Sequence, residues 1–270
     1  MTGHEIGHSA SFTPGLLGFH KEMQRISGLM AYTVNLEVLL SDEDRRRQAG
    51  LELDEDDLQF LTPEQHTPFV RERMLCALVE TLLWYVASLL RTVFSLYPHQ
   101  MLSASKSADT EGIRVGASES TVPLRAVLEY ETREQLLVSI VDDKVDRLSY
   151  RSLASLNDYF KEALRLPLTD DKTLLESTNR AVAMRNVLVH NRGLANRRFR
   201  SLWGNDAPPL GQRVEVSDAF LTEAFESVES LVKDVEARAV RKYLRSLDLD
   251  GLRRLMGLMP DADSQDEKED

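Results

Sequence analysis

The chain has 270 residues, 42% hydrophobic and 29% charged, which is enough apolar material for a real core and too much for a disordered chain. Its net charge of −11 excludes a protein whose whole surface coats nucleic acid, because phosphate is repelled at long range. The single cysteine, Cys76, excludes a disulfide framework or a thiolate metal cluster and fits a reducing, cytoplasmic setting, and no basic region followed by an apolar run marks a signal peptide.

In chain order, Phe19, Met23, Ile26, Met30, Thr33 and Leu36 or Val34 recur at helical spacing and predict one amphipathic helix over about Pro14 to Leu40. Asp42 to Asp57 holds eight carboxylates and reads, through Leu61, as a solvated linker. Thr62-Pro63-Glu64-Gln65 then supplies an N-cap, a proline at the first helical position and a capping-box partner. The long helix it opens is stopped by Pro98. Its apolar stretch, Met74 to Leu90, is interrupted by Glu80 and short for a bilayer, so it reads as a buried core helix and no membrane is expected. Ser103 to Thr121 reads as a long loop with a candidate short strand at Ile113 to Val115. Helices are predicted over Leu124 to Val145, around Leu153, Leu156, Phe160, Ala163 and Leu164 as far as Pro167, and from a cap at Asp170 or Asp171 to about Asn191, closed by Gly193.

A loop follows with several arginines, Trp203 and Pro208-Pro209, and Arg213 to Val216 is a candidate strand. Ser217 caps the last helix, whose Phe220, Ala224, Val228, Leu231, Val235 and Tyr243 share a face. Asp261 to Asp270, with six acids, reads as a disordered tail. The expected fold is therefore all-α, a multi-helix bundle with an additional N-terminal helix. Residues 1–61 form a helical extension and acidic linker, 62–250 the helical domain and 260–270 the acidic tail.

The chemistry concentrates between Arg180 and Arg213, where seven arginines stand against one acid, Asp206. On the helix before Gly193, Leu174, Leu175, Thr178, Ala181, Val182, Leu188 and Val189 fall within one arc at 100° per residue, with Arg185 near its middle. A guanidinium there needs a partner. Glu80, the one ionised residue from Met74 to Leu90, is the expected counter-charge in a structural ion pair. Asn179, Asn186 and His190 share another face beside the small Ala183, and Asn186 and His190 are neighbours. Read singly, a histidine at a helix end is a cap and an arginine in a stripe is a core ion pair. Together, a proton-exchanging imidazole and a nearby guanidinium suit acid–base work on a phosphate ester.

Arg185-Asn186-Val187-Leu188-Val189-His190-Asn191-Arg192-Gly193 resembles the signature of HEPN domains: an arginine, a polar residue, several mostly apolar residues and a histidine. Ser152 to Leu168 is similar to the helix that precedes that signature, and Leu210 to Ser217 to the connection into the last helix, so the resemblance spans roughly Thr62 to Leu247. HEPN domains are helical and commonly dimeric. Many are metal-independent endoribonucleases of toxin–antitoxin and phage-defence systems; others only bind RNA or nucleotides, or hold a partner. The resemblance implies catalytic roles for Arg185, Asn186 and His190; separately, the arginines of the following loop, Arg192, Arg197, Arg198 and Arg200, are expected to hold a single RNA strand by its phosphates. The resemblance also implies attack by the ribose 2′-hydroxyl, giving a 2′,3′-cyclic phosphate. The expected partners are RNA, a second copy meeting the Asn179/Asn186/His190 face in a homodimer, and a nucleotidyltransferase-type antitoxin. No cofactor or metal is expected. The alternative is a non-catalytic HEPN module that binds RNA or a nucleotidyltransferase-type partner.

Two other patterns are read as decoys. His4-Glu5-Ile6-Gly7-His8 has zincin spacing, but that chemistry needs a long helix and a third ligand, and this match carries a glycine and runs into Ser9-Ala10-Ser11. Asp54-Glu55-Asp56-Asp57 lacks the alternating spacing of a calcium loop.

Overall fold

In the computed structural model the described residues are 12–54, 63–103, 130–149 and 151–245. The fold is all-α and multi-helical, as expected. Its helices are α1 (Pro14–Ser41), α2 (Glu43–Gln48), α3 (Pro63–Leu96), α4 (Gln100–Ser103), α5 (Arg133–Ser149), α6 (Leu153–Ala163), α7 (Lys172–His190), α8 (Arg197–Trp203) and α9 (Asp218–Ala239), which runs on into a π-helical turn (Val240–Leu244). Among the described residues the candidate strand at Arg213 shrinks to one antiparallel bridge, Leu194 to Arg213. The zincin-like His4 to His8, the Thr62 cap, Ile113 to Val115 and the acidic tail lie outside the described residues.

Local chemistry sets most helix ends. Asp171 accepts from the backbone of Thr173 (2.8 Å) and Leu174 (3.2 Å), Ser152 from Ser155 (3.3 Å) and Ser217 from Phe220 (3.2 Å), each satisfying donors that a first turn leaves open. The stretch read as linker contains α2. Asp42 caps it, Glu43 and Asp44 sit in its first turn and Arg45 to Arg47 in its last, so charge and helix dipole agree. Helix α5 begins at Arg133, and the predicted start at Leu124 lies outside the described residues; Thr132 accepts from the Gln135 backbone (3.2 Å), and the Gln135 side chain reaches back to the Glu131 amide (3.2 Å).

The chain divides into two compact units interleaved in sequence: Met1–Leu17, Tyr85–Asp170 and Val232–Asp270 in one, Gly18–Trp84 and Asp171–Leu231 in the other. In the first, Leu89, Leu90, Phe94, Val145, Leu148, Leu156, Phe160, Val235 and Tyr243 are buried. Glu236, 5% exposed, accepts from the Tyr85 hydroxyl (2.7 Å), the Thr13 hydroxyl (2.8 Å) and the Thr13 amide. The carbonyl of Leu164, just past α6, accepts from Lys242 Nζ and from the Tyr243 hydroxyl, each at 2.7 Å.

In the second unit, Phe19, Met23, Ile26, Leu75, Leu78, Val79, Leu82, Met184, Val187, Phe199, Val214, Leu221 and Val228 are buried. The stripe predicted for α1 is buried only as far as Ile26; Met30, Val34 and Leu36 are exposed. Helix α3 is long and apolar enough over His66–Leu96 to cross a membrane by length and composition, and 61% of that window is buried within the protein.

Candidate functional site

The site is built on the C-terminal half of α7. The residues this helix buries are Thr178, Ala181, Ala183, Met184 and Val187. That face shares only Thr178 and Ala181 with the predicted arc: Val189 is exposed and Leu174, Leu175, Val182 and Leu188 are half-buried. Packing selects the Met184 side, which carries fewer large apolar side chains than the other. Arg185 therefore stands at the margin of the buried face, 19% exposed, rather than at its centre. Its Nη2 donates to Glu80 Oε1 at 3.1 Å, and its Nη1 to Asn186 Oδ1 at 3.2 Å; its Nε is buried without a partner. The ion pair is the one anticipated, but its setting is not. Glu80 is 59% exposed, so the pair is a surface interaction worth about 0.2–1 kcal/mol, not the several kcal/mol of a buried one.

Asn186 and His190 are exposed, four residues apart, and Asn179 is half-buried on the same line. Asn186 turns its carbonyl to Arg185 instead of to the histidine. His190 ends α7 and makes no hydrogen bond or ion pair among the described residues, so its ring is open to a ligand. Arg185 and His190 stand five positions apart, about 140° of helix rotation, and one copy does not aim both at one atom.

Beyond His190 the chain reverses sharply. The Leu194 amide donates to the Asn191 carbonyl (2.9 Å) across Arg192 (φ 54°) and Gly193 (φ 75°), both in the left-handed region that a type I′ turn requires. Glycine takes this conformation freely and arginine does not. The turn is held by the Asn191 side chain, which donates to the Leu194 carbonyl, and by the Val214 amide on the Gly193 carbonyl (2.8 Å). Arg213 completes the clasp: its guanidinium lies 3.5 Å from where a Gly193 Cβ would stand, and it donates to Glu72 at 2.7 Å. The strained residue carries the exposed Arg192 side chain.

The segment expected to be a loop is α8. Asn196 caps it, accepting from the Phe199 amide at 2.8 Å. Phe199 and Trp203 share its inner face and stack at 4.7 Å, while Arg197, Arg198 and Arg200 are exposed. Sequence reading missed this helix, although Asn196 before two aromatics four residues apart is a legible start signal. Arg180 is legible only as one of the clustered arginines; its guanidinium lies 4.6 Å from the Trp203 ring centre, a contact that sequence does not show.

Two open pockets flank these residues. One, of about 300 Å³, is lined by Met184, Phe199, Trp203, Asp206, Pro208, Arg213, Val214 and Glu215. The other, of about 410 Å³, is lined by Gly18, Glu22, Ala77, Glu80, Thr81 and Trp84. Cys76 is buried; burial pushes its thiol above the ordinary range while Arg185 pulls it down, which makes it a poor nucleophile at neutral pH. Among the described residues no three histidine, cysteine or carboxylate side chains gather as a metal-ligand set. Comparisons with models of known families, with curated proteins and with solved structures give no match for this chain.

Proposed function

We propose that the chain is a HEPN-type, metal-independent endoribonuclease of the kind that serves as a toxin or phage-defence effector in the cytoplasm. The observation that carries this reading is the end of α7: Arg185 reaches the surface, His190 is exposed and unengaged, and α8 follows with three outward arginines. In the proposed reaction His190 takes the proton of a ribose 2′-hydroxyl as its oxygen attacks the adjacent phosphorus. The bond from phosphorus to the 5′-oxygen breaks, and that oxygen is protonated. The products are a 2′,3′-cyclic phosphate and a 5′-hydroxyl. Arg185 neutralises the charge that grows on the phosphate oxygens, with Asn186 fixing the guanidinium. An RNA phosphate displaces Glu80 at little cost, because an exposed pair is weak. Arg192, Arg197, Arg198 and Arg200 hold the strand by its phosphates. The 140° separation calls for a homodimer in which motifs from two copies face each other, meeting on the Asn179/Asn186/His190 face. A nucleotidyltransferase-type antitoxin is the expected regulator.

One observation favours the second reading, a non-catalytic module that binds RNA or such a partner: both terminal nitrogens of Arg185 are already engaged. Incubating the protein with single-stranded RNA in EDTA separates the two. Cleavage to cyclic-phosphate ends that is lost in His190→Ala supports the enzyme. Binding without cleavage, unchanged in His190→Ala, supports the module.

A further inference from the structure

The pocket beside α8 combines features that the motif alone does not explain. Its lining is mixed, with Met184, Phe199, Trp203, Pro208 and Val214 beside three charged residues, and its aromatic wall is fixed: Trp203 is packed by Phe199, by Arg180 and by Phe220, whose ring lies 5.2 Å away. Two exposed carboxylates, Asp206 and Glu215, line it, and neither forms an ion pair or hydrogen bond among the described residues. Arg213 lines it too, held in place by Glu72 and by the Arg192 carbonyl. The volume, about 300 Å³, is at the small end of ligand sites.

The charges around it choose among ligands. Two unengaged acceptors call for a ligand edge with adjacent N–H donors. A lysine or arginine side chain from a protein would supply donors, but Arg213 in the wall and Arg197, Arg198 and Arg200 on the outer face of the same short helix repel a cation. A ligand with a donor-rich edge and an anionic tail satisfies both sets. Among nucleobases, guanine has that edge, with N1–H and the N2 amino group side by side. Adenine, cytosine and uracil have no two donor groups side by side, so each sets an acceptor against one of the carboxylates.

We propose that this pocket is a guanine subsite, with Asp206 and Glu215 accepting from the base edge against the Trp203 wall and the α8 arginines attracting the phosphate. This rests on the ribonuclease reading above, in which it sets base preference, but it makes a prediction of its own. The turn ties the pocket to the motif, since the Arg213 that lines it clamps Gly193 three residues beyond His190.

The test is nucleotide binding, with no cleavage involved. In a Trp84→Phe background Trp203 is the sole tryptophan, and its fluorescence reports titrations of guanosine, adenosine, cytidine and uridine 5′-monophosphates. Guanosine monophosphate should bind about ten-fold or more tighter than the other three. Asp206→Asn with Glu215→Gln should abolish that preference. Arg197→Ala with Arg198→Ala and Arg200→Ala should weaken all four together and flatten the salt dependence. Equal affinity for the four nucleotides, a preference that survives the carboxylate double variant, or no response to any nucleotide would each overturn the proposal. Calorimetry repeats the titration on the unmodified chain, so a fault of the Trp84→Phe variant does not decide the result. A chain that cuts RNA but ignores guanosine monophosphate loses this subsite and keeps its ribonuclease reading. A chain that binds the nucleotide but never cuts RNA does the reverse.

Discussion

Two charged groups show opposite uses of an ionisable side chain. Glu236, in the first unit, is buried and accepts three hydrogen bonds from Tyr85 and Thr13. Arg185, in the second, keeps one exposed carboxylate, one amide oxygen and an access to solvent. Buried charges are retained only when every lone pair is satisfied, and losing a partner there is costly. A surface ion pair is nearly balanced against water, so a ligand can replace it. The first arrangement holds a fold together; the second leaves a guanidinium available.

The contrast is broken first at Glu236. Glu236→Ala leaves three buried donors without an acceptor and should cost about 3–5 kcal/mol of stability, read from denaturant unfolding. A loss below about 1 kcal/mol would mean that the clasp is wet and the two sites are alike. Tyr85→Phe removes one of the three bonds and should cost about 1–2 kcal/mol in the same assay. Glu80→Ala should cost no more than about 1 kcal/mol, because its partner is open to water, and it should tighten RNA binding by freeing Arg185. A large destabilisation with weaker RNA binding would make Glu80 a structural residue after all.

The smallest effect is on pH dependence. Burial pushes the Tyr243 and Tyr159 phenols up to about 12, with Tyr97 adding to the first and Arg151 opposing the second. Burial and then Glu236 hold Tyr85 well above the ordinary phenol range. Each group binds its proton more tightly in the folded chain than in the unfolded one. The stability that Tyr243 and Tyr159 contribute is therefore complete below pH 10 and is lost as the pH rises through about 12, while the loss from Tyr85 extends to higher pH. Unfolding series between pH 8 and pH 12, with tyrosinate absorbance followed in parallel, check both sign and window. A stability that rises over that range would contradict the burial of these rings.

Periodicity and caps were enough to locate α1, α3, α6, α7 and α9, because long amphipathic stretches and Ser or Asp caps act through local geometry. What local pattern cannot supply is which face of a helix the rest of the chain covers. Helix α7 has apolar side chains around most of its circumference, so the arc with the larger residues looked like the core, yet the Met184 side is the buried one. The same limit explains Arg185, whose pairing with Glu80 was legible from two lone charges while their exposure was not. Glu236 carried no signal at all, since one acid among several on α9 looks like any solvated glutamate. The α8 pocket joins residues from Met184 to Glu215 through a turn whose left-handed Arg192 no propensity predicts.

The proposal that the end of α7 performs acid–base chemistry on RNA stands or falls on cleavage of a single-stranded RNA in EDTA by the native chain and by His190→Ala. The native chain should yield 2′,3′-cyclic phosphate ends, leave a 2′-deoxy copy of the substrate intact, and lose activity by about 10²–10⁴-fold in the variant while RNA binding is largely kept. Cleavage of the 2′-deoxy strand, complete inhibition by EDTA, or a His190→Ala protein as active as the native one would contradict it.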